Sequence, residues 1–355
     1  MLISLIPLIY LLVRVASIGF GEIAELVFQI RTLELIVNSL SLALAVSVSA
    51  VVLGSLQAWV AVRSTLPGRK AFSVLAALPL AIPSYVAAYA WIAVIPGFSG
   101  FFAAWLLLTV GTAPLVYLAV SASLVRFDAG TEEMAQSLGA TKFQVFRKVT
   151  WPNIRTAAVS GGLLSALYVL SDFGAVSIVR FDTFTRAIYN AYRASFDRNQ
   201  AAALALVLVL VTVLVLYFES KARGQKFATG KIASRLGLVE LGVWKIPMFL
   251  ILVGLATVSL LVPLGSLVGW SIEGFGSVNW GAVLGALANS VGLAVSGGLL
   301  TSFAALAIAV LTIRHRRKLM SVLEQSVWLT HATPGIVVAL SLVFFSNQIV
   351  PWIYQ

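Results

Sequence analysis

Residues 128–152 read DAGTEEMAQSLGATKFQVFRKVTWP. The segment carries Asp128, Glu132, Glu133, Lys142, Arg147 and Lys148, and long apolar runs flank it on both sides. Those runs are long enough to cross a bilayer as helices, whereas this charged segment belongs in water. That contrast sets the fold class: an all-α polytopic membrane protein that presents 128–152 as a loop between two spans.

Composition agrees. Of 355 residues, 60% are hydrophobic and only 10% charged, against about 25% charged in ordinary soluble domains. Apolar runs predict nine spans, at 2–18, 37–62, 71–95, 101–124, 156–179, 201–218, 246–270, 289–313 and 319–345. Pro79 and Pro83 fall inside the third, where a membrane helix tolerates them as kinks. With no cysteine, disulfides and thiolate chemistry are excluded. The two histidines, His315 and His331, have no acidic cluster around them, so neither a catalytic metal nor a cofactor is expected.

The net charge of +11 reflects basic loops, and nothing in it calls for nucleic acid. If the N-terminus is cytoplasmic, 18 of the 24 Lys and Arg fall in cytoplasmic loops. Arg31, Arg180, Arg186, Arg193 and Arg198 then lie outside. This bias predicts a cytoplasmic N-terminus and a cytoplasmic 128–152.

The span pattern repeats at an offset of 251 residues: Asn38-Ser39 falls on Asn289-Ser290, Arg63 on Arg314 and Pro83 on Pro334. Residues 1–219 are expected to form a first half and 220–247 a cytoplasmic linker, with 248–355 a second half cut short. The same offset carries Gly139 beyond Gln355, so a second copy of the charged segment is expected from elsewhere.

Within 128–152 the spacing predicts two short helices. Asp128 caps the first, Glu132 and Glu133 favour its positive end, and Gly139 closes it. Thr141 and Gln144 have capping-box spacing for a second helix reaching about residue 150, with Pro152 stopping or re-aiming the chain. Phe143 and Phe146 form an apolar knob ringed by Lys142, Arg147 and Lys148, the shape of a helix made for a groove on a partner.

These residues resemble the cytoplasmic signature of ABC importer permeases: E-A-A, three residues, Gly, nine residues, then I-x-L-P. Here Glu133-Met134-Ala135, Gly139 and Val149-Thr150-Trp151-Pro152 fall in that register. Met134, Val149 and Trp151 depart from the pattern but stay apolar. The resemblance implies the type I importer transmembrane fold. It also implies that Glu133, Ala135, Gly139, Phe143, Phe146 and Pro152 couple to a dimeric ATPase subunit, and that an extracytoplasmic binding protein delivers the substrate. No Walker A sequence occurs, so ATP hydrolysis is expected on the separate subunit and not on this chain.

A second stretch, Ser171-Asp172-Phe173-Gly174-Ala175-Val176 followed by 182–189 (DTFTRAIY), resembles the permeases of ferric-iron importers. Thiamine, polyamine, sulfate and other anion permeases share much of that architecture. Asp172, Phe173 and Gly174 are pathway or gate candidates, because an acid at membrane depth is functional by default. The plain alternative for Asp172 is a structural acid bonded to a neighbouring helix or lying near the outer surface. Arg186 and Arg193 are candidates for docking the binding protein. A secondary transporter also uses repeated halves, but that reading leaves the spacing Glu133, Gly139, Pro152 without a purpose. A membrane-embedded enzyme lacks a convergent His, Asp or Glu cluster.

Overall fold

The computed structural model describes residues 19–128, 130–193, 198–223, 237–314 and 334–349, with 7, 9, 11–14, 16 and 17. Most of the first expected span, much of the linker, His315, His331 and the first part of the ninth span lie outside the described residues.

Helix α1 (Phe20–Val27) leads into α2 (Ile30–Arg63), whose 34 residues extend about 51 Å at 1.5 Å per residue. The third expected span is not one helix. It runs as α3 (Arg69–Leu75), a 3-10 turn (Leu78–Ala81) and α4 (Ser84–Val94), and its two arms meet at 99°. Pro83 causes the break. It supplies no N–H, and it holds Ile82 extended (φ −91°, ψ 117°), since the proline ring excludes the helical conformation at the preceding residue.

Next come α5 (Gly100–Arg126), α6 (Gly130–Ser137), α7 (Lys142–Val145) and a π turn (Phe146–Thr150), then α8 (Trp151–Ser171), α9 (Gly174–Ile178), α10 (Phe184–Arg193) and α11 (Arg198–Arg223). The fifth expected span therefore ends at Ser171, not at residue 179. Further along the chain come α12 (Lys245–Ala256), a π turn (Thr257–Leu261), α13 (Val262–Gly274), α14 (Trp280–Arg314) and α15 (Gly335–Ile349). Among the described residues, six helices are long and apolar enough to cross a membrane, seven with the bent pair counted; they match the second to eighth expected spans. No strand occurs among the described residues, where the one β feature is a parallel bridge between Ser64 and Val239.

Helices α2, α5 and α8 pack backbone to backbone. A Cβ on Gly54 would stand 2.6 Å from the Ala113 carbonyl, and one on Gly161 would stand 2.7 Å from Val116 Cα. Ala50, Ala58, Ala113, Ala157 and Ala158 surround the crossing. Small residues are what permit this approach where lipid removes the usual hydrophobic drive between helices.

The repeat has a structural counterpart. Arg63 ends α2, and Arg314 lies on α14. Pro83 and Pro334 each stand just before a helix and accept hydrogen bonds from its first turn: Val86 N at 3.0 Å and Ala87 N at 3.1 Å for Pro83, Val337 N at 2.9 Å and Val338 N at 3.2 Å for Pro334.

Candidate functional site

The charged segment folds as its local chemistry dictates. The Asp128 carboxylate accepts from Gly130 N at 3.2 Å where α6 begins. At the other end, Gly139 N donates to Gln136 O at 2.9 Å and Ala140 N to Ala135 O at 3.0 Å. That is the paired bonding of a Schellman motif, and Gly139 takes its left-handed position at φ +85°. Ala135 thus serves the turn through its carbonyl. The expected capping box is present: Thr141 Oγ1 accepts from Gln144 N at 3.3 Å, and Gln144 Oε1 accepts from Thr141 N at 2.9 Å.

One acid turns inward, and it is Glu132. Its carboxylate pairs with the Arg63 guanidinium at the end of α2 and accepts from Thr150 Oγ1 at 2.5 Å. Only 1% of the Arg63 side chain is exposed and 13% of that of Glu132; the guanidinium also lies 5.7 Å from the Phe127 ring centre. Glu133, the acid in register with the signature, is exposed to solvent. Sequence reasoning placed both acids in the first turn of α6 but missed the role of Glu132, because Arg63 lies 69 positions away.

The outward face is apolar. Phe143 is 71% exposed, Met134 67% and Leu138 87%, with Phe146 partly exposed beside them, whereas Val145 turns inward. The sequence knob of Phe143 and Phe146 is therefore exposed, as are Met134 and Leu138. Pro152 does not stop the helix. The π turn ends with Trp151 N bonded to Phe146 O, and Pro152 follows in the first turn of α8. A missing N–H costs least where the ladder is already irregular, so α7, the π turn and α8 run on as one span.

The second candidate group lies at the far end of α8. Asp172 follows its last residue and is extended (φ −70°, ψ 128°). Asp172 Oδ2 accepts from Ala175 N at 2.9 Å and Val176 N at 3.4 Å, capping α9, and its carbonyl accepts from Thr185 Oγ1 at 2.7 Å. Oδ2 of the carboxylate is thus engaged by the turn. The Phe173 ring lies 4.7 Å from that of Tyr189. Gly174 sits so close to α4 that a Cβ would meet Ser84 Oγ at 2.6 Å. Asn38 Nδ2 donates to Asp182 O at 3.1 Å, and Ser39 Oγ accepts from Phe184 N at 3.2 Å. The Asn-Ser pair of the repeat therefore clamps this stretch to α2, while its copy at Asn289-Ser290 is exposed on α14. Arg186 is committed to an ion pair with Asp182, which Arg31 also approaches at 3.9 Å. Arg193 is exposed.

Comparison with known proteins decides what these two groups belong to. Residues 50–220 match the family model of the binding-protein-dependent transport system inner membrane component. Over 99% of its length the chain is 33% identical to the Fe(3+)-transport system permease protein FbpB 2 of Haemophilus influenzae, covering 71% of that protein. The chain belongs to this permease family. It is an ABC importer permease, a multi-pass inner-membrane protein and not a catalytic enzyme. Half of the permease also aligns with sulfate transport system permease proteins. It is 32% identical to CysT of Salmonella typhimurium, covering 70% of it, and 30% identical to CysW of Escherichia coli, covering 66%. The family match spans both 128–152 and the stretch from Ser171 to Tyr189.

Proposed function

We propose that this permease forms the translocation path of an ATP-driven importer and meets a separate ATPase subunit through 128–152, which faces the cytoplasm along with the N-terminus. The observation that carries this reading is the two-sidedness of the segment. Inward, Glu132 is locked to Arg63 and Thr150; outward, Met134, Leu138, Phe143 and Phe146 are exposed apolar side chains. An element held rigidly on one side and left apolar on the other fits a groove on a partner. Movement of that partner would then be delivered to α2 and α8 as a rigid-body displacement. Glu133, also exposed, is available to the partner. Co-purification with the ATPase subunit tests this: Phe143→Asp or Gly139→Trp should abolish it. Retention by both variants would refute the docking assignment.

We infer ferric iron as the cargo, delivered by an extracytoplasmic binding protein that meets the outer surface near Arg193. Similarity to the Fe(3+) permease runs the whole length of this chain, whereas the sulfate permeases align with half of it. Uptake of radiolabelled ferric iron and of radiolabelled sulfate by cells carrying the complete transporter separates the two. Uptake of sulfate alone would replace this assignment with an anion permease.

A further inference from the structure

Arg63 is tied at both ends. Its guanidinium holds Glu132 of the coupling segment, and its main-chain carbonyl accepts from Val239 N at 2.7 Å. Thr65 N in turn donates to Val239 O at 3.2 Å. The last carbonyls of a helix have no partner of their own, so residue 239, within the expected linker 220–247, caps α2. Leu238, Val239 and Glu240 line a cavity of about 400 Å³ together with Glu132, Lys142 and Phe146. One residue further, Leu241 packs with Val60, Leu66 and Leu252, and the rings of Phe72 and Phe249 meet edge to face at 5.5 Å. Leu252 and Phe249 belong to α12.

We propose that residues 238–241 are a transmission strap and Arg63 a positioning residue: displacement of the coupling segment pulls on Glu132, passes through Arg63 and Val239, and reaches α12. The proposal rests on the docking role assigned to 128–152. Its physical basis is that Arg63 is bonded both to Glu132 of the coupling segment and to Val239 of the strap, beside a cavity that both segments line.

Amide hydrogen exchange on the permease–ATPase complex in nanodiscs, with and without ATP and vanadate, tests this in two places at once. In the parent chain the Val239 amide should be protected, and trapping should change exchange in both 128–152 and 242–248. Val239→Pro, which removes the donated N–H, should keep the response in 128–152 and lose it in 242–248. Val239→Ala, which keeps the N–H, should retain both. An unprotected Val239 amide in the parent would overturn the strap, and so would an unchanged response at 242–248 in Val239→Pro. Absence of any response in 128–152 of the parent would instead refute the docking reading on which the strap depends.

Discussion

Arg63 and Glu132 form a buried ion pair that fastens the charged segment to the end of the first long helix. With the guanidinium almost wholly shielded, the pair sets the rotation of α6 and hence which side chains face outward. Glu132→Ala would leave the guanidinium buried and uncompensated, at a cost of about 3–5 kcal/mol. Glu133→Ala should change stability by no more than about 0.5 kcal/mol, yet weaken ATPase association. Thermal unfolding in detergent, set beside co-purification, should separate the two neighbours cleanly. Equal unfolding temperatures would contradict the assignment.

Gly139 is needed for its backbone and not for space. Its φ is +85°, and nothing lies within 4 Å of the position a Cβ would take. Gly139→Ala should therefore cost about 1–2 kcal/mol from the left-handed conformation alone. Gly139→Asn, which tolerates that region better, should cost less. The expected signature is faster amide exchange confined to 134–145, with the spans unaffected.

Two helix glycines should respond with opposite signs. Gly161→Ala drives a methyl to within 2.7 Å of Val116 Cα and should destabilise by about 1–3 kcal/mol through overpacking. Gly111→Ala has open space around it and should gain about 0.5–1 kcal/mol from helix propensity. Unfolding temperatures of the purified single variants provide the measurement.

Asp172 caps a turn, so shape should matter there more than charge. Asn also caps; Asp172→Asn should therefore keep most transport and stability, while Asp172→Ala should lose about 1 kcal/mol or more. Complete loss of transport in a well-folded Asp172→Asn variant would show instead that the carboxylate charge serves the cargo.

Much of this permease was legible along the chain. Span positions follow from apolar run length, and the turn at Gly139 and the box at Thr141 and Gln144 follow from chemistry acting over three to five residues. Three things were not legible. The 99° bend at Pro83 was masked because a membrane helix often absorbs prolines. The continuation through Pro152 depends on a π turn that no residue type announces. The span end at Ser171 hinges on Asp172 finding Ala175 N, Val176 N and Thr185.

Residue order alone was enough for an all-α membrane fold and for a charged segment set between two spans, since each is set by local composition. Which of two adjacent acids is structural was left to contacts between distant helices. Glu132 and Glu133 differ by about 100° around a helix, and nothing within α6 favours either. The choice was made by Arg63, brought beneath α6 from another helix, because a buried guanidinium must find its carboxylate.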